Sequence, residues 1–314
     1  IGVPLMTITN THSDFAWLVN YLETLISAML WQPITSATIA YEYKKILNKY
    51  ALETTGTTEG VQWQGHDFSM RGMSSVESAV LSGMGHLLSF TGTDVIPAIY
   101  QLEKSYNATN LIGASVPATE HSVMCMGTKE SEIATFERLL DSYPTGILSV
   151  VSDTWDLWKV CTEYLPDLKD QVLERDGKLV IRPDSGDPVD IICGHKIFEV
   201  TEEEYSSEDI FKEGYTAIKA NGYVSDKNEK KLVEAEQKGV IELLWDVFGG
   251  TINEQGYKVL DPHIGAIYGD SITMDRAIQI CERLKAKGFA STNIVFGIGS
   301  FTYQYNTRDT FGFA

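Results

Sequence analysis

A short apolar run that ends abruptly in charged and turn-forming residues is the feature that most constrains the fold of this chain. Residues 179–181, Leu-Val-Ile, are typical of a buried β-strand. Pro183 and Pro188 cannot continue a hydrogen-bonded ladder, and the intervening Ser-Gly-Asp has the composition of a turn. The sequence therefore predicts a stiff loop that carries Arg182 and two carboxylates at a strand end, where α/β proteins place their chemistry. Taken alone, the segment is equally compatible with a salt bridge that caps a strand.

The same alternation of apolar runs and polar ends recurs along the chain. Strands are predicted at 87–90, close to Ser115, and at 147–151, 179–181, 266–268 and 293–296, with helices at 129–140, 154–161 and 275–287. Strands that alternate with helices favour a parallel α/β architecture. The pattern by itself is compatible with a closed barrel and with an open sheet.

The first third of the chain is predicted to be mainly helical. Apolar residues at three- and four-residue spacings follow Ser13-Asp14, and Pro33 is predicted to end this first helix. A second helix is expected at 41–52, and 53–65 is rich in Thr and Gly and is expected to be a loop. Ser74-Ser75-Val76-Glu77 has the form of a capping box and predicts a further helix start.

Length and charge limit the class of protein. A chain of 314 residues with a net charge of −18 suits one α/β domain and does not suit a nucleic-acid surface, because a phosphate polymer would be repelled. No apolar run is long enough to span a bilayer, and no secretory leader is recognisable. The four scattered cysteines form no CxxC pair, so buried, reduced thiols in a cytoplasmic protein are expected.

The composition changes between residues 195 and 238, where acidic and basic residues are frequent and apolar anchors are few. We interpret this segment as a charged surface insertion within a single catalytic core that spans residues 1–314. A lid over the functional site is the alternative interpretation.

Several motifs resemble those of the nicotinamide phosphoribosyltransferases, which belong to the type II phosphoribosyltransferase family. The similarity runs from end to end, and the order and spacing of the motifs agree with the family apart from the insertion. The matching segments are His66-Asp67-Phe68-Ser69-Met70-Arg71-Gly72, Gly92-Thr93-Asp94, Ser115-Val116-Pro117-Ala118-Thr119-Glu120-His121-Ser122, Ser149-Val150-Val151-Ser152-Asp153, Arg182-Pro183-Asp184-Ser185-Gly186, Gly269-Asp270 and Thr307-Arg308-Asp309.

The resemblance implies a fold and a reaction. The fold is a parallel α/β barrel of the type II phosphoribosyltransferase kind, and further β-rich segments are expected at both ends, so that this chain would be the central part of a longer protein. The reaction transfers the phosphoribosyl group of phosphoribosyl pyrophosphate to nicotinamide and yields nicotinamide mononucleotide and pyrophosphate. Mg²⁺ would accompany the pyrophosphate, and the protein would be a homodimer with shared active sites.

The strand at 293–296 leads into Gly297-Ile298-Gly299-Ser300, a small-residue turn that could expose backbone N–H groups to a phosphate. A single Gly-x-Gly is usually an ordinary turn. Its late place in the chain and the nearby Arg308 favour a phosphate site here. The resemblance adds Ser149 as a further substrate contact, and it assigns ribose contacts to Gly269-Asp270 and to Asp184. Asp270 could alternatively cap the segment that follows it.

The resemblance also assigns diphosphate contacts to Arg71, His121 and Arg182, whose side chains suit phosphate oxygens. Phe68 offers a stacking face for the base, and Asp94 can accept a hydrogen bond from a carboxamide. Because a carboxylate would repel nicotinate, Asp94 favours nicotinamide as the substrate.

His121 matches the family's phosphorylatable histidine, which takes a phosphoryl group from ATP, and Asp153 would orient it. A lone histidine is more often structural. Two other functions remain compatible with the sequence: a nicotinate phosphoribosyltransferase and a non-catalytic nucleotide-binding fragment.

Overall fold

The computed structural model describes residues 4, 6–200, 214–220, 223–269 and 271–304. The strands are β1 (Gly65–Asp67), β2 (Gly92–Thr93), β3 (Thr145–Val151), β4 (Asp176–Arg182), β5 (Ile197–Glu199), β6 (Ala217–Ala220), β7 (Tyr223–Asp226), β8 (Gly250–Ile252), β9 (Lys258–Leu260), β10 (Ile264–Tyr268) and β11 (Ile294–Ile298). The α-helices are α1 (Ala16–Thr55), α2 (Val76–His86), α3 (Ile96–Tyr106), α4 (His121–Met124), α5 (Glu132–Ser142), α6 (Leu157–Lys159), α7 (Leu165–Asp167), α8 (Lys169–Leu173), α9 (Pro188–Cys193), α10 (Glu234–Lys238), α11 (Val240–Phe248), α12 (Met274–Ala286) and α13 (Ser300–Gln304).

The chain divides into two units. Unit 1 comprises Ile1–Leu47, Glu59–Ser115 and Gly297–Ala314, and unit 2 comprises Asn48–Thr58 and Val116–Phe296.

In unit 1 the short strands β1 and β2 run parallel, with His66 opposite Gly92 and Asp67 opposite Thr93. The Phe68 N–H donates to the Ile298 carbonyl at the end of β11, which fixes the residue that follows β1. Helices α2 and α3 bury Ala79, Val95 and Ala98 between them. Small side chains at these positions allow the helices to approach closely.

Helix α1 is continuous through Pro33, so the prediction that proline ends the first helix is wrong. Proline removes one backbone donor, but a helix can pass through it where packing compensates for the lost bond. Gly85 of α2 approaches this point so closely that a Cβ on it would lie 2.6 Å from the Pro33 carbonyl oxygen. Tertiary packing against α2 therefore accompanies the uninterrupted helix.

Unit 2 is built on parallel strands in which β10 pairs with β11 and β4, and β4 pairs with β3. The last four residues of β3, the last four of β4 and all of β10 are buried, as expected for strands covered on both faces. The predicted strands at 147–151, 179–181 and 266–268 are thus confirmed, as are the helices at 129–140 and 275–287.

Strand β11 contains residues of both units, with residues 294–296 in unit 2 and residues 297–298 in unit 1. The predicted parallel α/β class is confirmed, since the paired strands of each unit's main sheet run parallel, and these pairings are consistent with the type II phosphoribosyltransferase fold.

Three local predictions need correction, whereas the helix start predicted at Ser74-Ser75-Val76-Glu77 is confirmed. Helix α2 begins at Val76, and Ser75 caps it by accepting from the Ser78 N–H. Residues 87–90 form no strand, because the chain turns after α2 and leaves Leu88 76% exposed. The segment near Ser115 makes only the isolated bridges Gly92–Ala114 and Ala118–Ser149. The helix predicted at 154–161 begins at Leu157, because Asp156 caps it, and it continues as a π-turn over Val160–Tyr164.

Within the predicted insertion, β5 pairs with β6 in parallel, and β6 pairs with β7 antiparallel. Residues 201–213 and 221–222 of this segment lie outside the described residues. The division into one core with an insertion at 195–238 stays a prediction.

The cysteines are free thiols, but Cys125 is exposed, so the prediction of four buried thiols holds only for Cys161, Cys193 and Cys281. Burial raises the pKa of Cys161 and of Cys193 to about 12, which keeps both protonated and unreactive. Among the helices of the described residues, none has the length and hydropathy needed to cross a bilayer.

Candidate active site

Two of the predicted base contacts lie at the same level of unit 1. Because His66 pairs with Gly92 and Asp67 with Thr93, Phe68 and Asp94 both follow directly after the ends of neighbouring parallel strands. The Asp94 N–H donates to the Asp67 carbonyl, which continues the ladder by one residue. The half-buried Phe68 ring lies 4.7 Å from the His66 ring, measured between centroids.

The Asp94 carboxylate is held by two side chains in unit 1. His66 Nε2 lies 2.8 Å from Asp94 Oδ1, and since a carboxylate only accepts, the imidazole N–H donates. The Ser115 hydroxyl donates to the same oxygen at 2.5 Å. The His66 side chain is 11% exposed and that of Asp94 is 43% exposed. The carboxylate is therefore oriented from the protein side and presented to solvent.

The predicted phosphate turn lies beside the arginine motif of unit 1. Gly299 follows β11, and a Cβ on it would meet no atom within 4 Å, so its backbone faces open space. Ser300 opens α13, and a Cβ on Gly72 would lie 1.9 Å from Ser300 Oγ. A side chain at Gly72 would thus displace Ser300. The Arg71-Gly72 segment and the Gly299-Ser300 turn are brought together, with the Arg71 side chain exposed.

In unit 2 the buried carboxylate of Asp153 fixes the loop after β4. Its Oδ2 accepts the Asp184 N–H at 2.9 Å and the Ser185 hydroxyl at 2.5 Å. The pairing of Val151 with Arg182 in the β3–β4 ladder places Asp153 and Asp184 side by side beyond the strand ends. Asp153 therefore links two of the predicted motifs, as sequence order alone could not indicate.

His121 opens the short helix α4 and faces the other oxygen of the same carboxylate. Its Nε2 lies 3.3 Å from Asp153 Oδ1, and Oδ1 has no hydrogen-bond partner among the described residues. The two side chains are close enough for an ion pair, but their geometry does not make a hydrogen bond. The His121 side chain is 45% exposed, whereas that of Asp153 is 6% exposed.

The remaining predicted residues of unit 2 lie at strand ends or in strands. Arg182 ends β4 and is buried, with Nη2 3.5 Å from Asp184 Oδ2. Ser149 lies within β3, where its backbone bonds to Pro117 and Thr119. Gly269 follows β10, and the preceding Tyr268 donates its hydroxyl to the Gly186 carbonyl at 3.0 Å. Two predicted site residues, Asp270 and Arg308, lie outside the described residues.

The predicted insertion borders the back of the same loop. A cavity of about 480 Å³ is lined on one side by Gly186, Asp187 and Asp190, and on the other by residues of the β7 turn that include Lys227 and Lys230. The cavity thus lies between the loop after β4 and the turn after β7 of the predicted insertion.

Sequence reasoning missed several residues that shape these clusters: His66, Ser115, Ser185, Glu132 and Tyr268. The first three stand inside or next to the quoted motifs, so their polar side chains could have been named as partners. The sequence does not distinguish Glu132 from the acidic residues that commonly occupy the first turn of a helix. It is only 1% exposed, and burial, followed by the charges of Asp156 and Asp153, raises its pKa to about 7.

The sequence profile of the nicotinate phosphoribosyltransferase (NAPRTase) family matches residues 63–314. The chain therefore belongs to this family.

The chain is also similar to curated bacterial proteins that are named nicotinamide phosphoribosyltransferase. The nicotinamide phosphoribosyltransferase of Acinetobacter baylyi is 50% identical over 319 aligned residues, which cover 99% of this chain and 57% of the relative. The nicotinamide phosphoribosyltransferases of Mycoplasma pneumoniae and Xanthomonas campestris are 41% and 33% identical, over 99% of this chain and 60% and 57% of their own lengths. The chain thus spans somewhat more than half the length of the relatives it matches.

Proposed function

We propose that this chain belongs to an enzyme that transfers the phosphoribosyl group of phosphoribosyl pyrophosphate to nicotinamide. The observation that carries the choice of base is the Asp94 carboxylate, fixed by His66 and Ser115 and presented to solvent. A carboxylate in this setting accepts from a carboxamide NH₂ group and repels the carboxylate of nicotinate. The names of the curated relatives support the same substrate.

The transfer breaks the bond between ribose C1 and the pyrophosphate oxygen and forms a bond from C1 to the ring nitrogen of nicotinamide. The nitrogen lone pair supplies the electrons, and pyrophosphate leaves with the pair from the broken bond. The sugar gains positive charge as the bond lengthens, and the carboxylate of Asp184 would stabilise it. Arg71 and Arg182 would bind the leaving diphosphate. No covalent enzyme intermediate is required.

Mg²⁺ would reach the protein on the pyrophosphate group. Within the described residues, no three side chains of the ligand types His, Cys, Asp or Glu are grouped to hold a metal ion. Mg²⁺ commonly keeps several waters and binds through substrate phosphates, so its use in this reaction requires no cage of protein ligands. When bound, the ion would neutralise charge on the leaving group.

ATP would phosphorylate His121 in the same reaction cycle. The Nε2 atom faces Asp153, so the ring offers Nδ1 as the nucleophile that attacks the γ-phosphorus of ATP and releases ADP. The nearby carboxylate would stabilise the positive charge that develops on the imidazole. Labelling with γ-³²P-ATP should leave an acid-labile phosphate, and His121→Ala should abolish both the label and any stimulation by ATP.

We also propose a homodimer. Large apolar side chains repeat every four residues along the exposed face of α1, and Trp17, Tyr21, Leu25 and Met29 are between 43% and 63% exposed. Such a stripe on a helix suits a symmetric interface. Light scattering should give a mass of two chains, and a monomer at working concentration would contradict the assignment.

The experiment that tests the reaction supplies the natural full-length protein with phosphoribosyl pyrophosphate, Mg²⁺ and either nicotinamide or nicotinate. Chromatography should detect nicotinamide mononucleotide and pyrophosphate in equal amounts. Asp184→Asn should lower the rate strongly, whereas Asp246→Asn on the exposed face of α11 should not. Faster turnover of nicotinate would favour the acid-using enzyme, and no turnover of either base would favour a non-catalytic fragment.

A further inference from the structure

A fully buried histidine in unit 1 has no part in the reaction described above. His86 is the last residue of α2, and its side chain is completely shielded from solvent. Its Nε2 lies 2.9 Å from the Gly92 carbonyl oxygen, and its Nδ1 lies 2.6 Å from the Tyr303 hydroxyl. Both ring nitrogens are therefore used, each by a different segment.

The two contacts fix the protonation of the ring. A carbonyl oxygen only accepts, so Nε2 carries the hydrogen. Burial lowers the pKa of His86 and keeps the ring neutral, so Nδ1 has a lone pair and accepts. Tyr303 is also fully buried, and burial raises its pKa well above the usual value, so its hydroxyl stays protonated and donates. The bonds therefore run in one direction, from Tyr303 through His86 to Gly92.

We call Tyr303, His86 and the Gly92 carbonyl the relay. One end of the relay lies in the segment that carries Asp94, the proposed base contact. Gly92 opens β2 and precedes Asp94 by two residues. The backbone between them is held on both sides, since the Thr93 N–H donates to Ala114 and the Asp94 N–H to Asp67. The Gly92 carbonyl and Asp94 therefore belong to one hydrogen-bonded segment, so a displacement of this segment would move both.

The other end of the relay lies in the phosphate turn. The Tyr303 N–H donates to the Gly299 carbonyl in the first turn of α13, which begins at Ser300. The Tyr303 carbonyl accepts from the Gln32 side chain at 3.1 Å, so the backbone of this turn is also anchored to α1. Movement of Gly299 and Ser300 on binding a phosphate would change the position of the tyrosine hydroxyl.

We propose that His86 and Tyr303 are positioning residues that couple base recognition at Asp94 to phosphate binding at the Gly299-Ser300 turn. The inference rests on the proposed function, because it takes nicotinamide and a phosphoribosyl group as the two ligands. Coupling between two binding sites is reciprocal, so each ligand should tighten the other by the same factor. The neutral ring is required, since a doubly protonated ring could not accept from the tyrosine.

The test measures the dissociation constant of nicotinamide in the natural full-length protein, with and without saturating ribose 5-phosphate. Ribose 5-phosphate has no leaving group, so binding is read without reaction. In the wild type, each ligand should tighten the other by about fivefold or more, the low end of typical coupling factors. Tyr303→Phe and His86→Gln should each reduce the factor to near one, while both ligands still bind singly.

Both substitutions break the same chain of hydrogen bonds. The coupling factor of the double variant should therefore be no lower than that of either single variant. Tyr303→Phe removes one oxygen and keeps the ring, so it remains informative if His86→Gln does not fold. Tyr50→Phe is the matched control: Tyr50 is also a buried tyrosine and donates to Glu282 at 3.0 Å in unit 2. It should leave the coupling factor unchanged.

A purely structural role would lower the melting temperature of Tyr303→Phe and leave the coupling factor at its wild-type value, and this result would overturn the inference. A wild-type factor of one would overturn it as well. Failure of nicotinamide alone to bind the wild type would instead contradict the proposed function, and the inference with it.

Discussion

Each unit contains a histidine next to an aspartate at the end of a parallel strand, but the two pairs face opposite ways. In unit 1 the histidine is the hidden member, with His66 11% exposed and Asp94 43% exposed. In unit 2 the carboxylate is hidden, with Asp153 6% exposed and His121 45% exposed. The same two residue types thus present a carboxylate to solvent in one unit and an imidazole in the other.

The contacts differ in the same sense. Asp94 Oδ1 receives two well-aligned donors, so the pair works as an oriented acceptor. Asp153 instead accepts its hydrogen bonds from the loop after β4, and its contact with His121 is electrostatic. The exposed member of each pair is therefore the candidate for contact with substrate, and the hidden member sets its orientation or charge.

The largest effect is expected from Asp153→Asn, which removes the charge beside His121 and weakens the anchoring of the Asp184 loop. Loss of charged hydrogen bonds worth about 3 kcal/mol would lower kcat/KM roughly a hundredfold. Steady-state kinetics of the full-length protein would measure it. Asp141→Asn is the control, since this aspartate accepts a hydrogen bond from Gln171 at an exposed site. Activity within a few-fold of wild type would mean that Asp153 only stabilises the end of β3 and has no role in the reaction.

The second prediction concerns Glu132, a buried carboxyl group close enough to Asp153 for the charge of Asp153 to raise its pKa. Glu132 is 1% exposed, and its pKa is raised from 4.5 to about 7, first by burial and then by Asp156. The folded state therefore binds the proton more tightly than the unfolded state. Stability from this group is full below about pH 4.5, falls as the pH rises through this window, and is lost above about pH 7.

Glu132→Gln cannot ionise and should not lose stability in that window. Relative to wild type, its free energy of unfolding should rise by about 3 kcal/mol between acid and mildly alkaline pH, roughly a hundredfold in the unfolding constant. Urea denaturation at several pH values would measure the change. Glu137→Gln on the exposed face of α5 is the control. Parallel curves for Glu132→Gln and wild type would contradict the raised pKa.

The loops that carry the candidate site residues could be predicted from the sequence. In each, the apolar strand, the residue that ends it and the polar side chains follow one another directly in the chain. Leu179 to Ile181 followed by Pro183 is such a case, and β4 and its loop are as expected. The partners of Asp94 and Asp153 could not be predicted from local pattern, since they depend on strand register. Ser115 and Asp94 are 21 residues apart in the chain, and Ser185 and Asp153 are 32 apart.

The failures in the helices and short strands have physical causes of the same kind. Pro33 usually ends a helix, but packing of α2 against that turn accompanies an unbroken α1. The apolar run at 87–90 resembles a strand, yet it continues the end of α2 as a turn stabilised by bonds to Gly83, Gly85 and His86. Tertiary contacts overrode local propensity at both places.

Asp94→Asn separates nicotinamide from nicotinate as the substrate and tests the exposed carboxylate of unit 1 directly. Removing the charge should weaken nicotinamide use and ease the exclusion of nicotinate. A charged hydrogen bond worth about 1–3 kcal/mol predicts a ten- to hundredfold shift in the ratio of kcat/KM values for the two bases. An unchanged ratio would mean that Asp94 is only a turn residue after β2 and would remove the physical support for nicotinamide.

The smallest effect is expected from Ser115→Ala, which removes one of the two donors to Asp94 Oδ1 and keeps the charge. His66 still holds the same oxygen at 2.8 Å, so the loss acts through orientation alone. A cost of roughly 0.5–1 kcal/mol predicts a two- to fivefold fall in kcat/KM for nicotinamide, carried mainly by KM. Nicotinate should remain excluded, because the repelling charge is unchanged.

Ser105→Ala is the matched control, since Ser105 accepts from Gln101 at an exposed site of the same unit. Steady-state assays with both bases would give the comparison. A fall as large as that of Asp94→Asn would mean that Ser115 contacts the base itself and does not act through the carboxylate. No change at all would mean that His66 alone fixes Asp94.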